Sequence, residues 1–233
     1  VVEAIDTIDQ DGYFEFKFYS KTTKPLLINI NNFVGKLYVQ PNFNYGIYFP
    51  EADSLTNNQI GTQSSVNISI YGNDSTELNA LINDFNNEYN QLFIKTDGIY
   101  LTPAKINALL DTFLIASRKR YKTTNNTYFK KYVEYAFASF YANTSKNKKL
   151  LFSQFIAHKP ILYNNYEYME FFNTHFKGYL KDIASTKQGG SIYNSINAFG
   201  NYKDLKQEIA ADKSIKNDTL RELLILKGLI EFY

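Results

Sequence analysis

The sequence predicts an α+β protein in which the sheet comes first and the helices follow. Two periodicities carry that expectation. Apolar residues alternate with period two through the first 72 residues, and after Gly72 they recur about every 3.6 residues. The β-branched residues agree, since five of the six Val precede position 67. Strands followed by helices, without alternation, argue against a doubly wound parallel sheet. The expected organisation is an N-terminal antiparallel β-sheet or half-sandwich over residues 1–72 and an all-α multi-helix domain over 73–233.

Taken in order, Phe14, Phe16 and Phe18 alternate with Tyr13, Glu15, Lys17 and Tyr19, which fits a half-buried strand. Leu26, Ile28 and Ile30 repeat the pattern, as do Leu37 with Val39, Tyr45 with Ile47 and Phe49, and Val66 with Ile68 and Ile70. Turn residues separate these runs at Asp11-Gly12, Asn31-Asn32, Pro41-Asn42, Pro50 and Gly72. The clearest predicted hairpin joins Tyr38 to Phe49 across Pro41 to Asn44, and residues 51–64 read as an exposed loop.

Asp74-x-x-Glu77 reads as a capping box opening a helix whose stripe is Leu78, Leu81, Ile82, Phe85, Tyr89 and Leu92. Thr102-Pro103 supplies an N-cap and a first-turn proline for a second helix through Ile106, Leu109, Leu110 and Phe113. A third stripe runs from Phe129 to Phe140, and a fourth from Leu151 to Ile156 stops before Pro160. Tyr168 to Ile183 reads as one further helix, and shorter ones follow the Gly189-Gly190 break. The closing run from Leu220 to Tyr233 is apolar on nearly every face, so it is expected to pack here or against a missing neighbouring domain.

Composition removes several classes of chemistry. With no Cys, the chain holds no disulfide, thiolate metal site or thiol nucleophile. Its two histidines, His158 and His175, have no second His at ligand spacing, so both are expected in ordinary surface or boundary roles. Glu167 and Glu170 stand three apart on a predicted helix and could pair as a glycosidase-like acid and base, but such pairs decorate most solvated helices. Gln188-Gly189-Gly190-Ser191 lacks the Lys-Ser/Thr of a P-loop and reads as a helix stop followed by an N-cap. No catalytic residue, metal site or cofactor is expected.

Charge is the feature that structure alone does not absorb. Between Ala116 and Lys149 stand nine basic residues against a single acid, Glu134, while residues 1–16 carry five acids and no base. Tyr121, Tyr128 and Tyr132 interleave with the basic run. The candidate binding surface is therefore Arg118, Arg120, Tyr121, Lys122, Tyr128 and Lys131, with Tyr163 and Tyr166 as further aromatic platforms. Three readings fit: a solvated face, contact with another part of a parent protein, or a surface that binds anionic glycan or peptide. Nucleic acid is disfavoured because Lys outnumbers Arg 22 to 3, and Lys lacks the bidentate fork that suits phosphate.

The order of these features resembles the N-terminal region of exported TlpA-type thioredoxin-like proteins of Gram-negative bacteria. The resemblance rests on Asp11-Gly12-Tyr13-Phe14-Glu15-Phe16, on Leu37-Tyr38-Val39-Gln40-Pro41 running to Tyr45-Gly46-Ile47-Tyr48-Phe49-Pro50, and on Leu78-Asn79. It continues through Tyr128-Phe129-Lys130-Lys131-Tyr132, Pro160-Ile161-Leu162-Tyr163, Tyr168-Met169 and Leu220-Arg221-Glu222-Leu223. The family's Cys-x-x-Cys has no counterpart here. The resemblance implies a non-catalytic accessory module that positions or oligomerises a following thioredoxin-like domain, or binds a partner protein. It also implies export to the periplasm or cell surface, with membrane attachment only through a lipid anchor whose leader, on this reading, is already removed.

Overall fold

The computed structural model describes residues 2–49, 64–72, 74–96, 102–144, 147–186, 191–197 and 200–232. The architecture is α+β, a small N-terminal sheet region followed by helices. Contacts gather the chain into two compact units, one of residues 1–90 with 164–166 and one of 91–163 with 167–233.

In the first unit, β1 (Lys24–Ile30) and β2 (Phe33–Val39) form an antiparallel hairpin whose register pairs Ile30 with Phe33 and Lys24 with Val39. Asn31, at a φ of 51°, makes the turn between them. On its other side β2 pairs in parallel with β4 (Ser64–Val66), so this sheet is mixed instead of purely antiparallel. A separate antiparallel pair joins β3 (Ile47–Tyr48) to β5 (Ser69–Ile70).

The predicted Tyr38 to Phe49 hairpin therefore does not form. Beyond β2 the Gln40 N–H donates to the Tyr45 hydroxyl at 2.9 Å, and Asn42 sits at a φ of 59°, so a side chain and a turn replace the ladder. The Phe14 to Tyr19 segment keeps its alternation, even positions inward and odd positions exposed, yet joins no strand ladder. Phe16 and Phe18 instead pack on a core of Ile28, Leu37, Val39 and Ile68. Gly35 is buried under that core, where a Cβ would stand 2.3 Å from Ile68 Cγ1.

Helix α1 (Leu78–Thr96) opens differently from the predicted box. Asp74 closes a local turn by accepting from the Thr76 N–H and hydroxyl. Glu77 provides the cap, its carboxylate accepting from the Asn79 and Ala80 N–H groups at 2.7 and 3.0 Å. Asn79 is 5% exposed, and its carboxamide accepts from the Tyr38 N–H at 2.7 Å while donating to the Tyr38 carbonyl at 2.8 Å. This side chain supplies the β-ladder bonds that Tyr38 lacks on the side away from Pro25, its partner in β1.

The second unit begins with α2 (Pro103–Arg120) and α3 (Thr127–Asn143). Thr102 caps α2 with Pro103 in the first turn, as the sequence predicts. The two helices run antiparallel: Asn107 meets Thr144 at 3.0 Å, Asp111 takes the Tyr141 hydroxyl, Phe113 and Phe137 rings stand 5.6 Å apart, and Tyr121 lies edge-on to Phe129 at 4.9 Å. Helices α4 (Lys148–Phe155) and α5 (Tyr166–His175) complete an aromatic core with α3, in which Tyr135 touches Tyr168, Phe155 and Phe171.

The single helix predicted from Tyr168 to Ile183 is two, because Gly178 takes a left-handed φ of 72° between α5 and α6 (Tyr179–Ala184). Its N–H is satisfied by the Glu231 carboxylate at 3.1 Å. Helices α7 (Ser191–Asn197), α8 (Tyr202–Ala210) and α9 (Asp218–Phe232) close a second core with α6, built on Leu180, Ile192, Leu205, Ile209 and Ile225. One face of α9 packs there, and Leu226 and Ile230 remain exposed on another. No helix among the described residues is long and apolar enough to cross a membrane.

Candidate functional site

The tip of the α2–α3 hairpin gathers most of the basic residues that the sequence singles out. Arg118, Lys119 and Arg120 occupy the last turn of α2, where the partial negative charge of the carbonyl end favours cations. Tyr121 ends the helix, its N–H donating to the Ser117 carbonyl at 3.0 Å. Lys122 follows in the connecting loop, and Asn126 caps α3 by accepting from the Phe129 N–H at 3.0 Å. Asn126 thereby fixes the turn that brings Lys130 and Lys131 back beside the end of α2.

Helix α3 has no acid in its first turn and carries Lys130 there and Lys131 just beyond, against the preference of a helix N-terminus for negative charge. Each such cation costs up to about 1 kcal/mol. The one acid of the region, Glu134, is already engaged twice: Lys131 Nζ lies 2.6 Å and Lys159 Nζ 3.0 Å from its carboxylate. Burial works to raise the Glu134 pKa, and the hydrogen bonds from the two lysines outweigh it, so the carboxyl stays below its ordinary range. Lys119, Lys122 and Lys130 are exposed and have no ion-pair partner among the described residues. Positive charge is left uncompensated at the tip.

The other residues of the predicted surface are differently placed. Arg120 sits with its guanidinium 5.9 Å from the Tyr121 ring centre, and Tyr121 is half-buried against Phe129. The Arg118 charge acts on the Tyr141 hydroxyl, back along the hairpin. Tyr128 is half-buried in the first turn of α3. Tyr163 is 52% exposed in the second unit. Tyr166 falls in the first unit, where Lys36 Nζ stands 3.4 Å from its ring centre, so one of its faces already holds a cation.

The 116–149 run is not one patch. Lys148 and Lys149 open α4 beyond the far end of α3, a helix of 17 residues and about 25 Å, and Lys146 lies outside the described residues. Lys159, which sequence reasoning passed over, joins the tip through Glu134; only the packing of the α4–α5 connection beside α3 brings it there.

His175, expected at a surface or boundary, is buried at 8% exposure with Phe152, Phe171 and Phe176 around it. His158 is exposed at a φ of 60°. Glu167 and Glu170 stand on the first turns of α5, Glu170 fully at the surface. Among the described residues no three His, Asp or Glu side chains come together as metal ligands. The Gln188 to Gly190 stretch, Tyr100 and most of the 51–64 loop lie outside the described residues. Comparison with protein-family models, curated proteins and solved structures finds no match for this chain.

Proposed function

We propose that this chain is a non-catalytic interaction module that docks an acidic protein surface against the tip of the α2–α3 hairpin. The observation that carries the reading is the charge arrangement at that tip. Three exposed lysines there have no ion-pair partner among the described residues, and the one acid of the run, Glu134, is already neutralised by two further lysines. Lysines held at a helix N-terminus against the dipole cost stability, which a complementary partner repays. Flexible exposed cations of this kind steer association and select partners by charge.

The context we propose is that of the resemblance: an exported, periplasmic or cell-surface protein in which the module positions or oligomerises a thioredoxin-like domain, or binds another protein. Its support is the order of sequence features alone. Recognition of anionic glycan draws less support, because the Tyr121 ring packs edge-on to Phe129 and the Tyr166 ring already holds Lys36 over one face.

Site-specific photo-crosslinking tests the reading in the cells that make the protein. A crosslinker at position 122 is expected to trap a discrete protein adduct that disappears when Lys119 and Lys130 are changed to Glu. A crosslinker at Tyr202, exposed on α8 away from the hairpin, serves as control. No adduct from position 122, or the same adduct from position 202, contradicts the reading.

A further inference from the structure

The acidic N-terminal segment builds a second feature, on the opposite sign of charge. Residues 9–13 form a tight turn: the Asp9 N–H donates to the Tyr13 carbonyl at 3.0 Å, the Gly12 N–H to the Asp9 carbonyl at 3.1 Å, and Gly12 takes a φ of 83°. The turn returns the chain beside itself, so that the Asp6 carboxylate accepts from the Glu15 N–H at 2.6 Å and from the Thr7 N–H at 2.8 Å. A cleft of about 350 Å³ lies between this segment and the β1–β2 turn, lined by Asp6, Phe14, Phe16, Asn29 and Asn31 among others.

Five properties of the cleft define what suits it. The Asp6 carboxylate is fixed by two backbone donors, which also hold its pKa below the ordinary value, so it is anionic at neutral pH. Each of its oxygens keeps a free lone pair, since a carboxylate offers about four acceptor sites. Asp6 has no ion-pair partner among the described residues, whereas Glu3 holds Lys24 at 2.7 Å and Glu15 holds Lys17 at 3.3 Å. The Phe14 and Phe16 rings, 5.3 Å apart and tilted 54°, line the same cleft as the carboxylate. Asn29 and Asn31 complete the lining, and a carboxamide can supply an acceptor oxygen.

We propose that this cleft binds the guanidinium group of an arginine side chain presented by a partner polypeptide. A planar, weakly hydrated cation with several donors suits a cleft lined by a carboxylate, two aromatic rings and two carboxamides. A hard metal ion is a poorer fit, because calcium takes six to eight oxygens and gains nothing from the rings. A neutral sugar would make no use of a segment with five acids and no base.

The test is an NMR titration of the ¹⁵N-labelled chain with N-acetyl-arginine-N-methylamide, and with its citrulline analogue, which keeps the shape and loses the charge. Saturable shifts are expected at the amides of Thr7, Ile8, Asn29 and Asn31, at least fivefold weaker binding is expected for citrulline, and 0.5 M salt is expected to weaken the arginine probe. Asp6→Asn is expected to abolish the difference between the two probes. Phe14→Leu, which leaves the carboxylate and its backbone bonds in place, is expected to weaken arginine binding severalfold. Equal binding of the two probes, shifts outside the cleft, or competition by millimolar calcium would overturn the proposal.

Discussion

His175 faces Phe152, Phe171 and Phe176, with ring centres 6.3, 5.5 and 4.7 Å away, and its Nδ1 has no hydrogen-bond partner among the described residues. Burial first, and the nearby charge of Lys148 second, lower its pKa from 6.5 to about 4. The unfolded chain therefore binds this proton more readily than the folded one. Stability is unaffected above pH 6.5, falls as the pH drops through 6.5, and has lost about 3 kcal/mol once it passes 4. Urea unfolding between pH 7 and 4 is expected to show this slope, and His175→Leu to flatten it; an unchanged slope would place the acid sensitivity elsewhere. Its burial was hidden from a sequence reading because a histidine reads as polar, although its position, seven residues after Tyr168 and in step with Phe171 and Phe172, falls on the buried stripe. Asn79 was hidden for a related reason: a polar residue in the first turn of a helix reads as solvated, and only the missing neighbour of Tyr38 shows what it satisfies.

At the level of elements, Gly228 marks a close approach of α9 to α6. A Cβ there would meet the Cβ and Cδ2 of Leu180 at 2.6 Å, and Leu180 is 1% exposed at the centre of its core. An alanine gains about 1 kcal/mol of helix propensity over glycine. Overpacking against a buried branch point costs about 1–3 kcal/mol, and the Leu180 Cβ cannot rotate away. Gly228→Ala is therefore expected to destabilise by up to about 2 kcal/mol net in chemical denaturation; a stabilised variant would show that α6 and α9 separate easily. Helix positions were legible because their stripes are long, and Thr102 caps α2 as its side chain suggests, whereas the Asn126 cap of α3 was not singled out. The break at Gly178 was not, since apolar spacing continues across it and the left-handed turn depends on Glu231 from a distant helix. Strand pairing was least legible: alternation gives the buried face of Phe14 to Phe18 and of β1 and β2, but says nothing of which edge each strand joins.

Across the whole molecule a net charge of +2 conceals two regions of opposite sign. The acidic one, residues 1–16, builds a cleft, and the basic one divides between the hairpin tip and the start of α4. Composition disclosed the imbalance, whereas the division required the course of α3. We propose that the tip, and not the rest of the basic run, meets acidic protein surfaces. Titration of the ¹⁵N-labelled chain with poly-glutamate peptide, followed by amide shifts at low and at 0.3 M salt, tests it most directly. The account predicts salt-sensitive shifts concentrated at residues 118–131 and at Lys159, lost when Lys119, Lys122 and Lys130 are changed to Glu. Shifts of equal size at Lys148 and Lys149, or shifts that persist in that triple variant, would contradict it.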